Sequence, residues 1–237
     1  MKKRILMIGN TSGLSGITRD LNAYKDFFIS PCGGLWHDDE IEILVNPDKS
    51  KLLQKVSSLK KRNLDYLITI FSGHGAYRRD GTILEINDQE EIIDEADLKA
   101  DASRQLLIFD CCRSSFATLN ASATKLSASL SVSPIRAQYE RRILQAKYQV
   151  ASLYACSIGE VAIATASGST YSMALIKAAR DVVNNNTEAY GTIAKVHRLA
   201  TDITVRQNPQ QNPDYCLEKC LTGESLIISI NPNYKGY

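Results

Sequence analysis

The sequence predicts an α/β protein, a mostly parallel sheet of about six strands with helices on both faces. Two observations lead there. Short apolar runs alternate with segments of helical periodicity along most of the chain, and strands joined by helices imply right-handed crossovers within a parallel sheet covered on both sides. The chain is also long enough, at 237 residues with 44% hydrophobic content, to bury a full core as a single domain over 1–237.

The elements follow in order. "RILMIG" (4–9), "EIEILV" (40–45), "DYLITIF" (65–71), "QLLIFD" (105–110) and "YQVASLYA" (148–155) read as strands, and "SLIISI" (225–230) as a sixth. Ile17, Leu21, Tyr24 and Phe28 recur at helical spacing between the first two runs. "KSKLLQKVSSLKKR" (49–62) places Leu52, Leu53, Val56 and Leu59 on one stripe behind Pro47 and Asp48. Its lysines are a solvated face, not a phosphate-binding patch. "STYSMALIKAARDVV" (169–183) and "AYGTIAKVHRLATDI" (189–203) also read as helices.

Residues 114–133 break this rhythm. Thirteen of these twenty residues are Ser, Ala or Thr, and Lys125 is the only charge. Such a segment has too few large side chains to pack and is expected to be a flexible or cleavable loop. "SPIRAQYERRILQAK" after it can form a helix.

Several function classes are excluded. A net charge of +2 gives no pull toward nucleic acid. No apolar stretch approaches the about 20 residues of a membrane span, and the apolar run after "MKKR" stops at Gly9, too short for a signal peptide. The six cysteines show no disulfide-framework spacing, so a cytoplasmic protein with reduced thiols is expected. No metal site is expected either: Cys216 and Cys220 have no second ligand pair.

Chemistry concentrates at two strand ends. "FSGHGAY" puts His74, one of three histidines, between two glycines after the third strand, and "FDCCRSS" puts Cys112 after the fourth. In such sheets reactive groups sit at the carboxyl ends of strands. A thiol becomes a useful nucleophile when an imidazole takes its proton. The glycines let a substrate backbone approach, and the Gly75 and Cys112 amides can point at a developing oxyanion. Each half alone has an ordinary explanation, His74 as a turn residue and the cysteine as core. Their occurrence together does not.

With "SGHG" and "DCCRS" in this order, the chain resembles the caspase-like cysteine peptidases, in particular the metacaspase and bacterial caspase-homologue branch. "DCCRS" is nearer to the D-S-C-x-S pattern of metacaspases than to Q-A-C-[RQG]-G. The resemblance extends over "ILMIGN…LSGITRD", "LYACSIGEVAIA…GSTYSMALIKA" and "NPQQNPDY…GESLIISINP". It departs in spacing, with 38 residues between His74 and Cys112 where about 50 are usual, and in Arg113 and Ser114 after the nucleophile.

The resemblance implies a three-layer caspase-like fold and a cysteine endopeptidase with Cys112 as nucleophile and His74 as base, acting on polypeptides. It makes 114–147 a linker between large and small subunit-like parts. Asp110, Asp20 and Ser72 match the metacaspase positions that hold Lys or Arg at P1. Two carboxylates in a slot suit a cation and repel aspartate. Alternatively, Asp20 caps the first helix and Asp110 only orders the active-site loop. Clustered Arg136, Arg141 and Arg142 beyond the linker are candidate processing sites, by the chain itself or by an activating protease or partner. A role in prokaryotic defence or cell death is implied as well. Calcium activation occurs among metacaspases, but "WHDDE" and "NDQEEIIDE" offer no clear ligand set, so no cofactor is expected. Two rivals stand beside this reading. One is a catalytically inactive homologue acting as an interaction module. The other is a phosphate loop in "IGNTSGLSG", which lacks both G-x-x-x-x-G-K-[ST] and G-x-G-x-x-G.

Overall fold

Apolar side chains alternate between the two faces of each central strand, and this alternation divides the core in two. Ile5, Met7, Ile68, Ile70, Leu106 and Ile108 face one way. Leu6, Ile8, Leu67, Phe71, Leu107 and Phe109 face the other. A computed structural model describes residues 1–79, 81–114, 133–184, 188–219 and 226–234.

In chain order the elements begin with β1 (Lys3–Gly9), α1 (Ile17–Ile29), β2 (Ile41–Val45), α2 (Lys49–Lys60) and β3 (Tyr66–Ser72). A small antiparallel sheet follows, made of β4 (Gly75–Arg78), β5 (Gly81–Glu85) and β6 (Ile92–Asp94). Next come β7 (Arg104–Asp110), α3 (Pro134–Gln145) and β8 (Gln149–Tyr154). The ribbon β9 (Ala164–Thr165) and β10 (Gly168–Ser169) leads into α4 (Thr170–Asn184). The chain continues with β11 (Tyr190–Thr192), α5 (Ile193–Gln207), β12 (Asp214–Glu218) and β13 (Ile227–Ile230).

The main sheet has the order β12-β8-β7-β3-β1-β2, parallel throughout except for β12. Helices α1, α3, α4 and α5 pack on the first core. On the opposite face α2 buries Leu52, Val56 and Leu59, each contributing about 1.5–3 kcal/mol of burial. Three layers result, as the sequence predicts.

Three elements differ from expectation. The sixth strand of the main sheet is β12, not the 225–230 run. β13 instead pairs antiparallel with β11 and lies wholly buried in the first core. An edge strand paired on one side carries half-exposed residues, here "DYCLE", and so lacks the apolar signature of a central strand. Helix α5 begins only at Ile193, where the Thr192 hydroxyl accepts from the Lys195 N–H. The β4–β6 sheet between the third and fourth main strands had no counterpart in the sequence reading. Residues 115–132, most of the Ser/Ala/Thr-rich segment, lie outside the described residues.

Candidate active site

Strands β3 and β7 are parallel neighbours, and Ser72 pairs with Asp110 as the last rung of their ladder. The register offset is 38 residues along the whole pairing, the same as the separation of His74 and Cys112. Each therefore lies two residues beyond the final rung. Gly73 N–H donates to the Asp110 carbonyl (3.1 Å) and holds the strand ends together past the ladder. The unusual spacing is thus the register of two adjacent strands.

His74 is 9% exposed, and its Nε2 lies 2.6 Å from the Ser12 carbonyl oxygen, in the loop after β1. Its own carbonyl accepts from Glu85 N–H (3.1 Å). Cys112 is half-buried and its thiol donates to the Ala162 carbonyl at 3.7 Å. Burial pushes this thiol's pKa up, so at neutral pH it needs a base to become a thiolate. Cys111 points into the second core instead, and burial holds its thiol far above the usual range.

Gly75 has a packing reason to be glycine. A Cβ there would stand 2.6 Å from the Cys111 sulfur. Arg113, next to Cys112, is buried and bonds to Thr82 Oγ1 (3.2 Å), the Cys156 carbonyl (3.4 Å) and Asp214 (3.4 Å). Its guanidinium stacks 4.0 Å from the centre of the Tyr154 ring. These contacts anchor the Cys112 loop to β5, β8 and β12.

Asp20 and Asp110 are both buried and close together. Asp20 does not cap α1, whose N-cap is Gly16. Its carboxylate accepts from Ser72 Oγ (3.1 Å), Ser169 N–H (2.8 Å) and Ser169 Oγ (2.5 Å). Asp110 accepts from Ser172 N–H (3.1 Å) and from the Ser172 hydroxyl. Gly168, with φ +107°, leaves room for this closure, since a Cβ there would sit 2.7 Å from Asp20 Oδ1. Burial, then the like charge of Asp20, raises the Asp110 pKa to about 7, and burial also raises that of Asp20. The expected trio of Asp20, Ser72 and Asp110 is brought together. Ser169 and Ser172 complete the shell; they read only as the start of a helix, with nothing local to mark them.

The processing candidates sit on α3. Arg136 makes a bidentate pair with Glu40 (2.7 Å each) and bonds to the Leu35 carbonyl and Glu140. Arg142 stacks over Tyr190, and Arg141 is exposed. In the two acidic stretches Asp38 pairs with Lys25, Glu40 with Arg136, and Glu91 accepts from Lys49 N–H and Asn87. Among the described residues no His, Cys, Asp and Glu side chains are grouped to hold a metal ion, and no helix is long and apolar enough to cross a membrane. In the glycine-containing loop after β1, the Thr11 and Ser12 amides are taken by Asn46 and Asn10, which weakens the phosphate-loop alternative.

A family profile described as the caspase domain matches residues 2–219. No curated protein matches the sequence at a significant level. Among solved structures, caspase-1 from Spodoptera frugiperda superposes with a TM-score of 0.61 at 12% identity, covering 92% of this chain and 86% of that one. A Geobacter sulfurreducens protein gives 0.59 at 14% identity, covering 96% and 97%. The Drosophila initiator caspase Dronc gives 0.59 at 13% identity, covering 98% and 84%. At such identities the structural likeness speaks for the fold.

Proposed function

The chain belongs to the caspase domain family, and from that premise we propose that it is a cysteine endopeptidase cutting polypeptides after Arg or Lys. The observation that carries this reading is the shared register of His74 and Cys112, two residues beyond the last rung of adjacent strands. His74 Nε2 is committed to the Ser12 carbonyl, so Nδ1 is the nitrogen that exchanges a proton with the thiol. Nδ1 takes the Cys112 proton as sulfur attacks the scissile carbonyl carbon. The carbonyl π pair moves onto oxygen, where the Gly75 and Cys112 amides stabilise it. The imidazolium then protonates the leaving amine, and a thioester remains. Water, deprotonated by the same ring, releases the carboxylate product and returns the proton to sulfur.

Specificity rests on Asp20 and Asp110. Two buried carboxylates with hydroxyl partners suit a guanidinium or ammonium and disfavour a third carboxylate. No metal or other cofactor enters this scheme, and a reducing cytoplasm suits its free thiols. The competing reading, an inactive interaction module, keeps the fold and lacks the chemistry.

A positional-scanning peptide library with purified protein, with and without calcium, tests the proposal. Cleavage after Arg and Lys is expected, and none after Asp. Cys112→Ala and His74→Ala are each expected to lower turnover by several orders of magnitude, while Cys111→Ala keeps most of it. An aspartate preference would overturn the specificity. Failure of a thiol-reactive basic peptide analogue to label Cys112 would favour the interaction module. Expressing wild type and Cys112→Ala in growing bacteria reads the defence or cell-death role, with growth arrest expected only for wild type.

A further inference from the structure

Asn10 follows β1, is fully buried, and spends its backbone N–H and both side-chain polar atoms on the surroundings of His74. Its amide N–H donates to the Ser72 carbonyl (3.0 Å), two residues before the histidine. Its Oδ1 accepts from Ser12 N–H (2.9 Å), closing a local turn. Its Nδ2 donates to the Glu85 carbonyl (3.0 Å) and to Glu85 Oε1 (3.1 Å), with a longer contact to the Asn87 carbonyl (3.5 Å). The partners then converge. Ser12 presents its carbonyl to His74 Nε2 at 2.6 Å, and Glu85 N–H donates to the His74 carbonyl at 3.1 Å.

A backbone carbonyl can only accept, so the neutral ring must carry its proton on Nε2 and its lone pair on Nδ1. The same carbonyl stabilises the imidazolium formed during turnover. In this it does the work that a carboxylate does in a Ser-His-Asp triad. A carbonyl on a free loop would hold the ring loosely. Here the Ser12 N–H, one peptide unit before that carbonyl, is held by the Asn10 side chain, whose other end is bound to Glu85 of β5. We propose that Asn10 is the positioning residue of this site: through Ser12 and Glu85 it fixes the tautomer and direction of His74. This rests on His74 being the base, and it deepens that reading.

Nitrogen-15 NMR of His-labelled protein, with His74 assigned by His74→Gln, tests the first half without requiring peptidase activity. Neutral His74 is expected as the Nε2–H tautomer in wild type, and as a mixture in Asn10→Ala. Kinetics test the second half. With active sites counted by thiol titration and folding checked by circular dichroism, Asn10→Ala is expected to lower kcat about 10²-fold per active site. KM is expected to change less than about threefold. Asn10→Ser, whose hydroxyl can still accept from Ser12 N–H, is expected to recover part of that loss. It also serves as the test variant if Asn10→Ala does not fold. An Nδ1–H tautomer in wild type would overturn the proposal. So would a folded Asn10 variant with unchanged tautomer and unchanged kcat per active site, the signature of a merely structural asparagine. Wild type that cuts no peptide yet holds the Nε2–H tautomer would sink the peptidase reading and leave the positioning intact.

Discussion

Asp110 and Asp20 are buried close together, and among the described residues no cationic side chain is bonded to either carboxylate. Burial, then the Asp20 charge, lifts the Asp110 pKa from 3.8 to about 7. A folded pKa above the unfolded one means that the native state holds a proton which the unfolded chain has released. This contribution to stability is full below about pH 4 and is lost as pH rises through about 7. Asp110→Asn removes the ionised form and is expected to raise Tm at pH 8 by roughly 3–8 °C. The same change is expected to weaken turnover of Arg and Lys peptides, because a buried cation would lose its counter-charge. In wild type, KM for basic peptides should fall as pH rises through about 7, since only the ionised carboxylate attracts the cation. A KM flat from pH 6 to 8 together with unchanged Tm in Asp110→Asn would refute a raised Asp110 pKa in this pocket. Asp110 was legible in sequence because it closes the strand before Cys112, and Asp20, inside α1, only through the family resemblance. Their depth of burial was not, since it depends on Ser169 and Ser172, well over a hundred and about sixty residues away respectively.

Helices α4 and α5 pack side by side and are joined by a second titrating group. His197 on α5 is buried, with Nδ1 2.7 Å from the Tyr171 hydroxyl on α4 and its ring against Tyr215 of β12. Thr201 on the same helix faces Nε2, and Asp214 of β12 is the nearby charge. Burial lowers its pKa from 6.5 to about 4, overriding the opposing pull of Asp214. Here the unfolded chain takes the proton first, so stability is present above about pH 6.5 and is lost as pH falls toward 4. The two groups therefore act in opposite directions across the same interval. Wild-type stability should change little between pH 4 and 6.5, Asp110→Asn should lose stability steeply on acidification, and His197→Gln should gain it. Thermal unfolding of the three proteins at matched ionic strength measures this. Parallel profiles would contradict the assignment. The helical periodicity of α5 was legible, but the role of His197 was not, because its partners come from α4 and β12.

The connection from β7 to β8 carries the processing question for the molecule as a whole. Arg136 occupies the first turn of α3 with Glu40, Glu140 and the Leu35 carbonyl on its guanidinium, and Tyr139 and Ile143 of that helix are core residues. Lys3 is buried beside Glu140 (3.2 Å) and over the Trp36 ring (4.1 Å), which ties the same helix to β1. A protease cleft binds extended chain, so cutting after Arg136, Arg141 or Arg142 requires this helix to unwind. Self-cleavage is expected at Lys125, outside the described residues, or at exposed Lys147 just past the helix, with the fragments still joined through the β7–β8 pairing. Mass spectrometry of wild type and Cys112→Ala after incubation identifies the cut, and native gel filtration tests whether the fragments stay together. Intact mass in both proteins, while peptide substrates are being cut, would rule out self-processing.

The layered sheet, the two strand ends that carry His74 and Cys112, and the matching positions of those residues past neighbouring strands could all be read from the sequence. These are written in local apolar periodicity and in a separation that equals a strand register. The tertiary structure alone decided the antiparallel edge strand β12, the withdrawal of β13 into the helical core, and the Asn10, Ser12, Ser169 and Ser172 contacts that dress the site. The reason is physical. Periodicity reports which residues are buried, whereas hydrogen bonds between residues as far apart as Asp20 and Ser169 depend on how layers stack, and no local pattern encodes that.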